Sequence, residues 1–164
     1  MMKARLATLN DSESIASLYN QGIEDRSATF ETRLRSPEEV RMWFDGVHPL
    51  VVVEHEDEVI AFASTSSYRS RECYVGIAEC SVYVARASRG CGAGRLALEA
   101  LLLAAENANF WKLVSRVFVE NTASRALIRS LGFREVGTYC KHAKLDGVWR
   151  DVIIVERLFP TNLL

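Results

Sequence analysis

The apolar residues near the start of the chain change from an alternating to a helical spacing. The segment ARLATL alternates apolar and polar residues, which favours a β-strand. Further along, Ile15, Leu18 and Tyr19 recur on one face of a helix. Asn10 and Glu13 stand ahead of that face at the spacing of a capping box. The chain is therefore predicted to begin with a strand followed by a helix.

A second helix is predicted in the segment SPEEVRMWF. Ser36 is a favourable N-cap, Pro37 suits the first helical position, and Glu39 can reach back to the cap. The apolar residues that follow at helical spacing are Val40, Trp43 and Phe44.

The rest of the chain is predicted to contain strands separated by two further helices. LVVVEHEDEVIAFAST has two apolar runs around a polar tip at Glu56 and Asp57, which predicts an antiparallel hairpin. AECSVYVA predicts a strand, and a long helix follows through about Asn109. KLVSRVFVE predicts another strand, and NTASRALIRSLGF predicts a short helix that ends at Gly132. The remaining residues predict a hairpin that turns at Asp146 and Gly147.

These elements predict a single α+β domain over residues 1–164. The strands are expected to form a mixed, largely antiparallel sheet with helices on both faces. The chain has 164 residues, of which 49% are hydrophobic and 25% charged, enough to bury one core but too few for a second domain.

The charge balance excludes some classes of partner. The formal net charge is −1 at pH 7 and no run of Lys or Arg stands out, so neither nucleic acid nor a membrane surface is indicated as a partner. A small neutral or anionic ligand fits this balance better. No apolar run approaches the roughly 18 residues of a membrane helix, and the N-terminus lacks the apolar centre of a signal peptide. We therefore expect a cytoplasmic protein.

The cysteines and histidines follow no metal-binding or disulfide pattern. The cysteines include no C-x-x-C pair, and the histidines are scattered along the chain. We therefore expect no metal and no disulfide framework. The residues concerned are Cys73, Cys80, Cys91, Cys140, His48, His55 and His142.

A glycine-rich loop is the most informative local feature. The stretch SRGCGAGRL has glycines at Gly90, Gly92 and Gly94 between a predicted strand and a predicted helix. Such a loop can turn its backbone N–H groups toward one point, where the helix dipole adds partial positive charge. The ligand expected there is a phosphate.

Two nucleotide-binding motifs compete for this loop. A P-loop requires a lysine after the last glycine, and none follows Gly94. The run from Gly92 to Ala97 matches the G-x-G-x-x-A pattern of a dinucleotide-binding fold, and Glu120 could serve as its ribose-binding acid. However, Glu120 lies beyond the usual offset of about twenty residues, and the chain is too short for a second half and a substrate domain.

Residues outside the loop give a more specific resemblance. Arg89–Gly94 resembles the pyrophosphate loop R/Q-x-x-G-x-G/A of the GCN5-related N-acetyltransferase (GNAT) superfamily. Asn121–Ser124 followed by Leu131–Phe133 is similar to that family's second coenzyme A motif. Nearly end to end, the chain resembles the phosphinothricin, methionine sulfoximine and arsinothricin N-acetyltransferases. The segments that carry this are LYNQGIEDRSATFET, YRSRECYVGIAECSVYV, VENTASRALIRSLGF and DGVWRDV.

The resemblance implies a fold with a splayed pair of strands that binds acetyl-CoA. In the family, the strand before the loop offers backbone groups to the pantetheine, and the loop amides bind the pyrophosphate. Asn121 and Ser124 would contact the pantetheine from the opposite wall, although either could simply cap the helix that begins there. The positions that match the strand and loop are Val82, Tyr83, Val84, Arg89, Gly90, Cys91, Gly92, Ala93 and Gly94.

The resemblance also implies a catalytic glutamate. Glu79 matches the family's general base and is flanked by apolar residues, and a backbone N–H near Val82 would stabilise the oxyanion. Relatives carry Tyr or His as the general acid at the position of Ile128, which has no proton to donate. Tyr83 and Tyr139 are the possible substitutes.

The substrate residues that the resemblance implies begin with an arginine pair. Arg69 and Arg71 would share one face of an extended segment and clamp an anionic group, although such a charged stretch is often only a solvated loop. The other residues expected around the substrate are Tyr74, Phe30 and Thr32. Trp149 and Asp151 fit the subfamily signature and are expected to shape the fold, and a homodimer is expected by the same resemblance.

The sequence therefore predicts an acetyl-CoA-dependent N-acetyltransferase. Its substrate would be the α-amino group of a small glutamate analogue, and the implied role is resistance by detoxification. Two alternatives stay open: an acetyltransferase for another amine, such as a protein N-terminus, and a catalytically weak acyl-CoA-binding module.

Overall fold

A seven-stranded sheet with strand order β1-β2-β3-β4-β5-β7-β6 forms the centre of the molecule. The computed structural model describes all 164 residues. Every strand pair is antiparallel except β4 with β5, so the predicted mixed, largely antiparallel sheet is confirmed. The elements are β1 (Lys3–Leu6), α1 (Ser12–Asp25), α2 (Pro37–Arg41), β2 (Leu50–His55), β3 (Glu58–Ser67), β4 (Ile77–Val84), α3 (Ala93–Asn107), β5 (Lys112–Phe118), α4 (Thr122–Ser130), β6 (Arg134–Leu145) and β7 (Val148–Leu158).

Helices cover both faces of the sheet, because its central strands bury apolar side chains on both sides. On β2, Val51 and Val53 belong to a cluster with Leu98 and Leu101 of α3. Val52, between them, belongs to a second cluster. That second cluster contains Ile15, Leu18, Val40, Phe62 and Tyr83, which come from α1, α2, β3 and β4. No helix is long and apolar enough to span a membrane.

The first predicted capping box is wrong by two residues. A 3-10 turn from Leu9 to Asp11 precedes α1, so the helix begins at Ser12. The Thr8 N–H donates to Asp11 Oδ2 at 2.7 Å, and Arg5 donates to both carboxylate oxygens of Asp11 at 2.8 Å. Arg5 thus fixes Asp11 in the position that the sequence pattern gave to Glu13.

The second capping box is confirmed. The Ser36 N–H donates to Glu39 Oε2 at 2.8 Å, and the Glu39 N–H donates to Ser36 Oγ at 3.2 Å. The helix ends after five residues, at Arg41. Trp43 therefore lies beyond the helix, although it still packs against the cluster under α1.

The parallel pairing of β4 and β5 is short. It consists of Ile77 with Lys112, Ala78 with Leu113, and Glu79 with Val114. Both strands continue past these pairs, to Val84 and Phe118, but they no longer pair with each other there. The splayed strand pair is therefore confirmed, and it opens at Glu79.

The Arg5–Asp11 contact yields the first prediction. The side chain of Asp11 is only 7% exposed, and its bonds to Arg5 lower its pKa. Asp11→Ala should lower the free energy of unfolding at pH 7 by roughly 2–3 kcal/mol, measured by urea denaturation, because a largely buried charged hydrogen bond is lost. A lowered folded-state pKa contributes stability above the ordinary aspartate value of about 3.9. The difference between wild type and variant should therefore shrink as the pH falls below about 4.

The matched control is Glu99→Ala, because alanine is favourable within a helix such as α3. Glu99 also pairs with an arginine, Arg95, but its side chain is 46% exposed. Exposed pairs contribute little, so this variant should unfold close to wild type. Equal losses for the two variants would contradict the role given to Asp11.

Candidate active site

A cleft of about 720 Å³ lies where β4 and β5 separate. Its walls come from α1, from the segments before and after α2, and from strands β3 to β7. A smaller cavity of about 50 Å³ lies between the two strands themselves. Both cavities are lined by Ser81, Tyr83, Ser115, Arg116 and Phe118, so they lie next to each other.

Glu79 projects into the cleft from the last paired position of β4. Side chains alternate along a strand, so its neighbours Ala78 and Cys80 lie in the core, at 0% and 6% exposed. The apolar neighbours of Glu79 in the sequence suggested an apolar environment for its side chain. In the structure these neighbours face the other side of the strand, and Glu79 faces the cleft. Its carboxylate accepts a hydrogen bond from Arg116 Nη2 at 2.5 Å.

Tyr83 lies deep in the wall between the cleft and α1. Its ring stacks on Phe62 at 5.3 Å between centroids and meets the edge of Tyr19 at 5.1 Å. Gly22 of α1 packs against the same ring, where an added Cβ would lie 2.5 Å from it. Burial raises the pKa of Tyr83, which makes its phenol a weaker proton donor than an exposed tyrosine.

The backbone of β4 presents alternate residues to the opening. The Ala85 N–H donates to Ile60 O at 2.8 Å on the β3 side. Backbone groups of successive residues point to opposite edges, so Tyr83 also bonds toward β3. Val82 and Val84 direct their N–H and C=O groups toward β5, in the splayed region. Val82, Tyr83 and Val84 were predicted to offer backbone groups to the pantetheine, and those of Val82 and Val84 are available.

The glycine-rich loop leaves a row of backbone donors free. Gly90 and Gly92 have φ values of 80° and 90°, which L-residues rarely adopt. No carbonyl or side chain of the protein accepts from the N–H groups of residues 89–95, which lead into the first turn of α3. This arrangement fits an anionic group at the helix N-terminus.

The side chains of this loop point elsewhere. Arg89 binds Asp25 at 2.5 Å, and Arg86 binds the same carboxylate at 2.7 Å. These two bonds lower the pKa of Asp25. The Cys91 thiol donates to Ser88 O at 2.7 Å. The loop therefore presents its backbone, and not its side chains, to a ligand.

Asn121 and Ser124 stand on the wall opposite β4. Asn121 Oδ1 accepts from the Ser124 N–H at 3.2 Å, so the capping role of Asn121 is confirmed. Both residues also line the small cavity, together with Ile128, which is 5% exposed. An aliphatic side chain thus occupies the place where relatives were expected to carry a proton donor.

The predicted substrate residues are divided by the structure. Phe30 lines the cleft and meets Phe118 edge-on at 4.9 Å between centroids. The extended segment predicted for Arg69 and Arg71 is not observed, because β3 ends at Ser67 and the chain then bends into a 3-10 turn. Arg69 stacks over the rings of Tyr68 and Tyr74, at 5.0 and 5.9 Å. Arg69, Arg71, Tyr74 and Thr32 do not line the cleft.

Two ionisable side chains, Arg116 and His142, are among the cleft residues that were not singled out as site residues from the sequence. Arg116 appears there only as a charged residue interrupting the apolar strand KLVSRVFVE. His142 reaches the cleft through a bulge in β6 between Tyr139 and Ala143, where Lys141 adopts a φ of 48°. The Lys141 N–H donates to Asp151 Oδ1 at 2.6 Å, which gives Asp151 a role in shaping the fold.

Comparison with known proteins agrees with this geometry. The sequence profile of the acetyltransferase (GNAT) family matches residues 16–133. A phosphinothricin N-acetyltransferase of Streptomyces coelicolor is 31% identical, and the match covers 95% of each chain. An L-methionine sulfoximine/L-methionine sulfone acetyltransferase of Pseudomonas paraeruginosa is 30% identical over 96% of this chain and 95% of its own.

Solved structures give the same result. A ribosomal-protein-alanine N-acetyltransferase from Brucella melitensis superposes with a TM-score of 0.91 at 31% identity, over 96% of this chain and 99% of its own. A phosphinothricin acetyltransferase from Sinorhizobium meliloti, in complex with acetyl-CoA, superposes with a TM-score of 0.90 at 28% identity, over 96% and 88%. The chain belongs to the acetyltransferase (GNAT) family and is an N-acetyltransferase.

Proposed function

We propose that this enzyme transfers the acetyl group of acetyl-CoA to the α-amino group of a glutamate analogue. Phosphinothricin, methionine sulfoximine and arsinothricin are the candidate acceptors, and detoxification of such a compound is the proposed role. The observation that carries the proposal is the position of Glu79, a carboxylate in the cleft at the point where β4 and β5 separate. The substrates named for the relatives support the choice of acceptor.

The residues of the glycine-rich loop and the splayed strands fit acetyl-CoA. The free N–H groups of residues 89–95 would bind its pyrophosphate, and the backbone of Val82 and Val84 would bind its pantetheine amides. Asn121 and Ser124 would border the pantetheine on the other side. When bound, acetyl-CoA supplies the acetyl group as a reactive thioester.

Glu79 is proposed as the general base. An amine attacks a carbonyl carbon only as the neutral –NH2 form, so a proton must leave its ammonium form. Glu79 would accept this proton directly or through a water molecule, and a backbone N–H near Val82 would stabilise the oxyanion. As the new N–C bond forms and the C–S bond breaks, the leaving thiolate must gain a proton.

The source of that proton differs from the family pattern. Ile128 cannot supply it, and Tyr83 is a weakened acid because it is buried. A thiol has an ordinary pKa near 8.5, so water can protonate the leaving thiolate near neutral pH. We therefore propose a reaction without a dedicated general acid on α4.

Arg69 and Arg71 are proposed to bind the distal anionic group of the acceptor at the mouth of the cleft. Ser66 and Ser67 line the cleft, and Arg69 follows two residues later, within about 7 Å of chain length. The stacking of Arg69 on two tyrosines would hold its guanidinium there. Tyr74 takes part through that stacking, and Thr32 would border the same mouth.

A second candidate function is acetylation of a protein N-terminus. It is favoured by the similarity to the ribosomal-protein-alanine N-acetyltransferase from Brucella melitensis. The two candidates differ in the group attached beside the amine, since a peptide has an uncharged amide where a free amino acid has a carboxylate.

The proposal includes a cytoplasmic homodimer. β6 is an edge strand of the sheet and carries exposed apolar side chains at Val136 and Tyr139. Trp149 is exposed on the neighbouring strand β7. Edge strands with such side chains favour pairing with another chain.

The substrate class is tested by thiol release from acetyl-CoA with a panel of amines. The panel contains phosphinothricin, arsinothricin, methionine sulfoximine, glutamate, spermidine and a peptide that begins with Ser. We expect kcat/KM to be highest for one of the three analogues. Highest activity with the peptide would support the second candidate and contradict the first.

Glu79→Gln tests the base. This variant removes the proton acceptor with little change in shape, so kcat should fall about 100-fold or more at pH 7 while KM for acetyl-CoA stays unchanged. The control is Glu72→Gln, an exposed glutamate in the 3-10 turn before β4. Unchanged kcat/KM for Glu79→Gln across pH 6 to 9 would show that the base lies elsewhere.

Gly92→Ala tests the loop. An alanine at a φ of 90° is strained, so the loop should move and KM for acetyl-CoA should rise several-fold with the acceptor KM unchanged. Gly46→Ala is the control, because Gly46 has a similar φ of 75° and an added Cβ there would meet no atom within 4 Å. Equal effects on KM for acetyl-CoA in both variants would count against the loop as the pyrophosphate site.

A further inference from the structure

The cleft contains one residue with a permanent positive charge. Of the residues that line it, Arg116 is the only arginine or lysine. Three carboxylates face the same space: Glu31, Asp45 and Glu79. An anionic group that enters this cleft therefore has a single full cation to bind.

Two of those carboxylates already bind residues that do not line the cleft. Glu31 accepts from Arg35 at 2.6 Å. Asp45 accepts from the N–H groups of Val47 and His48 at 2.8 Å and also from the His48 ring, and its pKa lies at about 2. Glu79 and Arg116 are thus the two charged groups that are bound only to each other.

Arg116 has donors to spare. Its side chain is 48% exposed, and only Nη2 has an acceptor in the protein, which is Glu79. The remaining N–H groups of the guanidinium have none. A planar guanidinium can bind a carboxylate through two parallel hydrogen bonds, so these free donors suit a second carboxylate beside Glu79.

We infer that Arg116 binds the α-carboxylate of the acceptor amino acid. In an α-amino acid the amine and the carboxylate are attached to the same carbon, and Glu79 and Arg116 present the complementary charges side by side. The amine would lie against Glu79 while the carboxylate lies against Arg116. This pair selects α-amino acids over amines without a carboxylate, an inference that rests on the proposed function.

This assignment separates the two anionic groups of a glutamate analogue. Arg69 and Arg71 do not line the cleft, and they are the residues proposed above to bind the distal group at its mouth. Arg116 stands next to the proposed base and binds the group adjacent to the reacting amine. Arg116 is therefore a specificity-determining residue, and its neighbour Glu79 carries the chemistry.

The test compares paired acceptors. Phosphinothricin and methionine sulfoximine are each assayed beside the amine that has hydrogen in place of the α-carboxylate. The proteins are wild type, Arg116→Ala, Arg116→Lys and Arg134→Ala. Arg134 is the matched control, because it forms a similar exposed cross-strand pair with Glu156, at 2.6 Å, and does not line the cleft.

Arg116→Ala should raise KM for the amino acid roughly 10- to 100-fold, the range of a lost charged hydrogen bond. The ratio of kcat/KM between amino acid and amine should fall by the same factor. This ratio cancels any common effect on Glu79 or on folding. Arg116→Lys should recover part of the ratio, and Arg134→Ala should match wild type.

Three results would overturn the inference. Equal losses for both acceptors in Arg116→Ala would mean that Arg116 only positions Glu79. A wild type that acetylates the amine as well as the amino acid would mean that no carboxylate is selected. If the wild type acetylates no α-amino acid, the proposed function fails together with the inference. The first two results contradict only the role of Arg116 and leave the proposed function intact.

Discussion

The parallel ladder between β4 and β5 ends after Glu79 and Val114, and the remaining backbone groups of these strands face each other across a gap. Backbone groups that lack a strand partner are costly to bury unless a ligand or water binds them. Ser115 partly compensates, since its hydroxyl donates to Cys80 O at 2.9 Å. The gap is therefore lined with backbone hydrogen-bond donors and acceptors. Glu79 lies at the end of the gap where the two strands are still paired.

Local patterns in the sequence were sufficient for the elements but not for their arrangement. The strand and helix order, the hairpin turns, the Ser36 cap and the glycine-rich loop depend on neighbouring residues, and each was predicted. The gap between β4 and β5 has no such local signal, because AECSVYV and KLVSRVF have the pattern of ordinary strands, and it was expected only from the resemblance to the GNAT family. The same holds for the contact between Glu79 and Arg116, which are 37 residues apart. Asn10 was assigned as a cap because nothing local shows that Arg5 binds Asp11.

A network of charges connects the two halves of the site. Asp25 ends α1 and binds Arg86 and Arg89, which flank the start of the glycine-rich loop. The same helix carries Tyr19, which lines the cleft and contacts Tyr83. The donors of the loop and the wall of the cleft are thus held by one helix. The side chain of Arg89 binds Asp25, so it connects the loop to α1 and leaves the backbone N–H groups of the loop uncovered.

The segment between α1 and α2 lines the cleft and contacts the buried clusters chiefly through Phe30. Residues 28–31 line the cleft, yet none of residues 27–34 is buried. Substitutions in exposed positions change stability little, whereas the two apolar clusters that support the sheet tolerate few changes. Substitutions in this segment can therefore change the lining of the cleft while the sheet and its supporting clusters keep their structure. A change in what the cleft admits can in this way come from single substitutions that do not first require a more stable fold.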